Sequence, residues 1–447
     1  MALSPTDAVD VARQLHGAHE HDELRLRRVE AYLRGDHDSV YVPRAARTEY
    51  RWIVDQARVN VLPLVVDTIA QSLFVEGYRP ARESDNAAPW AIWQANRMDA
   101  RQSGVHRSAL AYGSAYVIGV PGEPVPVLQP RSPLRVTAQY VDAVDDEWPE
   151  WVLERVAKGF YRLYEPDVTH ELTVDGTGQW RRTRLLQHGF PFCPVVRFTN
   201  RCDLDGRVVG EVEPLIPLQD QINFTTFGLL MAQQYAAFRQ RWVTGMAVPE
   251  DESGRPIETI NVAVNRLLMA EDADTRFGEF SQTDLGGYIE SRESTLRHLA
   301  TVSQVPPHAL LGQMANLSAE ALAAAEAQQT RKISERKALF GESWEQVLRM
   351  AAGLAGDAES AADTSAQVVW RDTEARSMAA TVDALGKLTQ MLGVPAAELW
   401  DRVPGVTMQD VERWRAAAAQ NDSLGAFAQL LDRQTAALMT PADSAQV

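Results

Sequence analysis

The chain has 447 residues, 45% of them hydrophobic and 23% charged, which is material for two to four folded domains with a substantial core. Acids outnumber bases 60 to 44, giving a net charge of −16, and this argues against a protein that grips nucleic acid through Lys and Arg on phosphates. Two cysteines, Cys193 and Cys202, exclude a disulfide framework and a Cys-rich metal site, and no run of 18 apolar residues offers a membrane span.

The first residues, "MALSPTDAVD", lack the basic and apolar regions of a signal peptide. Ser4, Pro5 and Asp7 are the start signal of a first helix expected to run to about Leu33, where "RGDHD" breaks it. His16, His19 and His21 lie on it without sharing a face, so a solvated polar stretch is expected rather than a metal site. A second helix is predicted from Glu49 to Leu73, kinked at Pro63, and a third from Trp90 to about Tyr112.

From about Ala115 to Thr199 the period shortens. "AYVIGV", "PVPVLQ", "LRVTAQYV", "WVLERVA", "THELTV" and "PVVRFT" are predicted strands, separated by Gly, Pro and Asp turns. The partial segregation of strands and helices places the chain in the α+β class, mainly helical. Helices return near Glu211. From Gln221 to Phe238 no residue is charged, yet the Gln, Asn and Thr residues are too polar to face lipid. Such a helix is expected to be buried on more than one side, its amides satisfied across a protein interface or within the centre of a large monomer.

Val243 to Gly286 form an acidic insertion. Between Glu250 and Asp284 nine acids face three arginines, a balance of −6, with strand-like "TINVAV" and "RLLMA" inside it. "YIESRESTLRHLATVSQ" is then a helix stopped by Pro306 and Pro307. After the short loop "PPHALLGQMANLS", Ser318 and Glu320 open a helix of roughly 35 residues, on the order of 50 Å long. Its apolar stripe runs through Ile333, Phe340, Trp344, Val347, Leu348 and Ala351, while the charged middle, "TRKISERK", is expected to be solvated and to bridge a gap. A linker, the strand-like "VVWRD" and a helical C-terminal third complete the chain.

The motifs of familiar enzymes are missing. There is no G-x-x-x-x-G-K-[ST], H-E-x-x-H, C-x-x-C or G-x-S-x-G; Gly386–Lys387 precedes Leu388 inside a helix. Asp145, Asp146 and Glu147 are assigned to a loop, and His308 beside Pro307 to a structural role. No catalytic residue, metal or cofactor is expected.

Several stretches, in this order, resemble the portal proteins of tailed bacteriophages, the SPP1-like family in its actinobacteriophage form. They are "NVLPLVVDTIAQSLFVEGYRP" (60–80), "WAIWQANRMD" (90–99), "HRSALAYGSAYVIGV" (106–120), "PLQDQINFTTFGLLMAQQYAAFRQRWVTG" (217–245), "VPPHALLGQMANLSAEAL" (305–322), "FGESWEQVLRMAA" (340–352) and "VVWRDTEARSMAATVDALGKL" (368–388). The resemblance implies a portal-type subunit that assembles as a homo-dodecameric ring with double-stranded DNA passing along its axis. It implies an α/β wing (1–210), a first stem helix (211–242), a small α/β clip (243–286) and a second stem helix (287–304). A tunnel loop (305–318), the long helix with its return to the wing (319–389) and a helical crown (390–447) follow.

On this reading Gln313, Met314, Ala315 and Asn316 line the channel; Glu271, Asp272 and Asp274 of the clip dock partners; and Gln221, Phe227, Leu229, Leu230 and Gln233 form the stem's oligomer interface. The implied partners are the terminase large subunit, the major capsid and scaffolding proteins and a head–tail adaptor, with the protein in the virion and, during assembly, the host cytoplasm. The acidic balance fits a channel that lets DNA slide. The rivals are a monomeric head–tail adaptor or scaffold with a long bridging helix, and a terminase-type packaging enzyme, which the missing nucleotide-binding motif opposes.

Overall fold

The computed structural model describes residues 2–38, 40–41, 47–80, 88–237, 241–244, 274, 276–279, 285–312, 319–371, 378–400, 403, 406 and 408–421. Helix α1 (Pro5–Arg34) starts where Ser4 Oγ accepts from Asp7 N–H and ends at Gly35, whose φ of 75° suits glycine. The expected single helix of residues 49–73 is instead two, α2 (Arg47–Gln56) and α3 (Leu62–Ala70). Pro63 lies in the first turn of α3, where its missing N–H costs nothing, and so begins a helix rather than kinking one. After β1 (Val75–Arg79), the expected helix over 90–112 likewise divides into α4 (Ala88–Ala95) and α5 (Met98–Tyr112), at Arg97 with φ 53°.

Eight strands follow: β2 (Ser114–Val120), β3 (Val127–Arg131), β4 (Val136–Gln139), β5 (Trp151–Ala157), β6 (Phe160–Tyr164), β7 (Val168–Val174), β8 (Trp180–Gln187) and β9 (Val195–Thr199). They build two antiparallel sheets, β3-β2-β9 and the meander β4-β5-β6-β7-β8. The arginine-rich β8 and the short β6 lie outside the strands expected from sequence. Both are held by pairing with neighbours, and register places Glu154, Arg162, Glu171 and Arg184 opposite one another as alternating charges across four strands. The other face of the meander packs Leu153, Tyr161, Leu163 and Leu172 on Ala8, Ala12 and Leu15 of α1, whose four-and-three spacing makes one stripe.

The remaining elements are α6 (Ile216–Ala237), β10 (Arg241–Thr244), β11 (Arg276–Glu279), α7 (Gly286–Ser303), α8 (Pro307–Leu311), α9 (Ala319–Leu354), α10 (Ala358–Ala361), β12 (Gln367–Trp370), α11 (Met378–Leu392) and α12 (Met408–Asn421). β12 pairs with β1 and β10 with β11, both antiparallel. The strand-like "TINVAV" and "RLLMA" lie outside the described residues. The main core gathers α3, α4, α5, β2 and β9 around the C-terminal half of α9. There Trp344 meets Trp93 and Phe198 edge-on, at 4.8 and 4.5 Å between ring centres. The fold is α+β, mainly helical, with no helix among the described residues long and apolar enough to cross a membrane.

Candidate functional site: the junction of the helix pair and the long helix

Residues 213–237 leave the body through a 3₁₀ turn and α6, and α7 returns beside α6 before α8 and α9. The α6–α7 pair closes over Ile222, Leu296 and Leu299, all buried. Gly228 allows the close approach higher up, since a Cβ there would lie 2.9 Å from the Tyr288 ring. Gln304, at φ 58°, ends α7; Pro306 and Pro307 turn the chain into α8, and Gly312, at φ 65°, ends that. His308 Nε2 lies 3.9 Å from Glu326, tying α8 to α9 in a structural role.

At the foot of this assembly sits a buried ionic cluster. Glu211 accepts from Lys332 Nζ at 2.6 Å and from Arg336 Nη2 at 3.3 Å; Arg336 Nε donates to Asn200 Oδ1 at 2.6 Å, and Asn200 Nδ2 donates to Glu211 at 3.0 Å. Lys332 also donates to the Ser303 carbonyl at the end of α7, at 2.8 Å. Four parts of the chain meet here: the residue after β9, the approach to α6, the last turn of α7 and the middle of α9. Burial pushes the Glu211 carboxyl up, but Lys332, Asn200 and Arg336 outweigh it and hold the group below its ordinary value, hence ionised. Lys332 is shifted down by burial, against the pull of Glu211.

This overturns the expectation of a solvated "TRKISERK". Lys332 is 6% and Arg336 2% exposed. The sequence carried a signal for it: positions 332, 336, 340 and 344 recur every four residues, so the two cations continue the line of Phe340 and Trp344. Glu211 and Asn200 carried none, being more than 100 residues away. Gly210 explains why Glu211 reaches so far in, because a Cβ there would collide with the Ala111 carbonyl oxygen.

A second polar seam fixes the base of α6. Gln219 Oε1 accepts from Val61 N–H at 3.0 Å and Asn223 Oδ1 from Val59 N–H at 3.1 Å, while Asn223 Nδ2 donates to His37 Nε2 at 2.8 Å. Tyr32 Oη donates to Asp220 at 2.5 Å and its ring stacks on His37 at 4.3 Å. The Asn223 amide is therefore satisfied inside the chain, by the irregular backbone of residues 57–61 that interrupts the expected helix. Farther along, Gln221 and Gln233 are exposed and Phe227, Leu229 and Leu230 half-buried. Asp274 is exposed just before β11; Glu271, Asp272, Gln313, Met314, Ala315 and Asn316 lie outside the described residues.

The histidines and acids singled out from sequence are structural. His19 is buried with Nδ1 2.9 Å from Thr137 Oγ1, and His16 packs on Tyr161 and Trp180, so that stretch is not simply solvated. Glu147 pairs with Arg349 of α9. Among the described residues no group of three or more His, Cys, Asp or Glu could hold a metal.

An α/β body bearing a helix pair, tied at the base of that pair to one long helix through a buried ionic cluster, is the architecture of this chain. The family described as "Phage portal protein, SPP1 Gp6-like" matches residues 13–424, and the chain belongs to that family. It is similar to the portal protein of Mycobacterium phage D29, 28% identical over 357 residues (74% of this chain and 72% of that one), and to that of Mycobacterium phage L5, 26% identical over 364 residues with the same coverage. A chain from the virion of a native gene transfer agent particle overlays with a TM-score of 0.47 at 14% identity, over 83% of this chain and 96% of that one. The protein is thus a component of the phage virion with the general role of a portal protein in DNA packaging.

Proposed function

We propose that twelve copies form a ring at one capsid vertex, through which double-stranded DNA is packaged and later leaves. Residues 1–210 are the wing, 211–242 and 287–304 the two stem helices, and 243–286 the clip. Residues 305–318 are the tunnel loop, 319–389 the long helix and its return to the wing, and 390–447 the crown. The observation that carries this reading is the chain path. α6 leaves the body, α7 comes back along it, and α9 then runs 36 residues to be buried under the sheet β3-β2-β9, as a subunit reaching from an axis to a rim requires. The outer surfaces of the pair support it: both helices turn apolar side chains outward, Phe224 on α6 and Ile289 and Val302 on α7, as helices flanked by neighbouring copies would.

In this ring Gln221, Phe227, Leu229, Leu230 and Gln233 meet neighbouring copies. Glu271, Asp272 and Asp274 of the clip meet the terminase large subunit and the head–tail adaptor through basic surfaces, and capsid and scaffolding proteins surround the wing. Gln313, Met314, Ala315 and Asn316 touch DNA without holding it, being uncharged. The test is the double substitution Gln313→Lys and Asn316→Lys. Each phosphate newly engaged steepens the dependence of log affinity on log salt by about 0.9, and a ring repeats the change in every copy. Heads carrying the variant should package slowly or stall and recover in part at higher ionic strength; packaging at the parent rate at all salt concentrations would contradict the tunnel-loop role.

A further inference from the structure

The last two helices of the described chain are held very differently. α12 is anchored: Val411 is buried, and Trp414 meets Trp400 edge-on at 6.1 Å between ring centres. α11 is not. No residue from 381 to 392 is buried, and none belongs to the three apolar clusters of the body. Val382, Met391 and Leu392 are 50%, 79% and 71% exposed. A helix of 15 residues is marginal in water on its own, even when rich in alanine. This one carries Gly386 and the β-branched Thr381, Val382 and Thr389, with Asp383 and Lys387 paired at 2.6 Å along its surface. It therefore needs a partner along its apolar stripe. Met378, Leu385 and Leu392 form that stripe, recurring every seven residues with Val382 and Leu388 beside them.

Residues 422–447 lie outside the described residues, and their sequence carries a matching stripe. Asp422 and Ser423 are a helix start signal, followed by "LGAFAQLLDRQTAALM" (424–439). Leu424, Leu431 and Leu438 recur every seven residues with Phe427 and Leu430 beside them. Pro441 closes the run, as Gly393, at φ 68°, closes α11. Each stripe is about 21 Å of helix, so the two match in length as well as in period. The chain path brings them within reach. Trp414 on Trp400 fixes α12 eight residues beyond Leu392, a span of at most about 28 Å, and only residues 422 and 423 separate α12 from the segment. We infer that residues 424–438 form a helix lying along α11 of the same chain. Leu424, Leu431 and Leu438 share one apolar seam with Met378, Leu385 and Leu392. The inference rests on no part of the ring reading.

Cross-linking tests it on the full chain. Leu385 and Leu431 are the central members of their stripes, so they face each other whichever way the two helices run. In a Cys202→Ser background, which removes the exposed native thiol, Leu385→Cys and Leu431→Cys are combined and treated with a short bis-maleimide. The expected product joins the two peptides within one chain and runs at monomer mass on a denaturing gel. A ladder of covalent oligomers would assign the stripe to a neighbouring copy and overturn the same-chain occupant; no link at all would overturn the seam. Hydrogen exchange is an independent readout. Leu431→Asp should speed exchange of the α11 amides by about tenfold or more, and Leu385→Asp should do the same for residues 427–438. The body should keep the parent's denaturation midpoint, since neither residue belongs to its core. Exchange in α11 unchanged by Leu431→Asp, or a midpoint that falls with it, contradicts the pairing.

Discussion

In the C-terminal half of α9, Phe340, Trp344, Val347 and Leu348 are wholly enclosed by aromatic and aliphatic neighbours, whereas two turns earlier Lys332 and Arg336 are enclosed around one carboxylate and one amide. The two stretches are buried almost equally and differ in what burial accomplishes. Apolar contacts are non-directional, and side chains of similar volume can replace one another with small loss. The ionic cluster repays its desolvation only if all its members meet at hydrogen-bonding distance. Half of α9 thus secures it to the body, and the middle fixes where along its length α7, the approach to α6 and β9 converge.

The largest effect is expected where apolar burial is removed. Trp344→Ala deletes the centre of the core and leaves His106 Nε2 without the indole N–H that donates to it at 2.8 Å. The loss in unfolding free energy by chemical denaturation should be about 4–5 kcal/mol, and a loss under about 2 kcal/mol would mean this half of α9 is not the anchor.

Next comes the cluster. Glu211→Ala removes the shared carboxylate from both buried cations, leaving Arg336 only the exposed Glu335 at 3.2 Å, and should cost about 3–5 kcal/mol, while Glu211→Leu combined with Lys332→Met and Arg336→Met should recover most of it. If the ions determine position rather than stability, the recovered triple variant should still assemble poorly. A triple variant that assembles as well as the parent would erase the distinction between the two stretches.

Acidification sharpens the same contrast. Burial, with a smaller contribution from the Arg107 charge, pushes His106 down to about 3, so the ring is neutral and its Nε2 is free to accept from Trp344. Below the ordinary value of 6.5 the unfolded chain takes up a proton that the folded chain refuses. Stability should therefore be level above about pH 6.5 and fall toward pH 3 by up to about 1.4 kcal/mol per pH unit for this group. His19, His37 and His188 are lowered by burial too and act in the same direction. Glu211, held below its ordinary value, adds a further loss as pH falls past the usual carboxylate range. His106→Gln should make the slope shallower in denaturation midpoints between pH 6.5 and 4; an unchanged slope would place the titration elsewhere. The smallest effect belongs to a site remote from both stretches, where Ser4→Ala removes the cap of α1 and should cost about 1 kcal/mol.

What sequence made legible follows the same division. The line Phe340, Trp344, Val347 and Leu348 was readable because apolar residues at helical spacing carry their own explanation. α1 was readable from Ser4 and Pro5, and most strands of residues 115–199 from alternation. The burial of Lys332 and Arg336 is hidden in the sequence because a charge looks solvated until its partner is known, and Glu211 stands more than 100 residues away. β8 hid its strand behind three arginines whose partners and neighbours lie on another strand. The break at residues 57–61 was invisible for a related reason: its backbone is satisfied by Gln219 and Asn223, which no local pattern connects to it.

On the proposed function, these two stretches of α9 hold the α6–α7 pair in the one orientation that lets copies close into a ring around DNA. Electron imaging of the purified full chain, with its mass determined by sedimentation, measures this most directly. The expected result is a ring of twelve subunits with an open axial channel walled by α6 and α7. A monodisperse monomer, or an oligomer in which the helix pair points away from the axis, would contradict it.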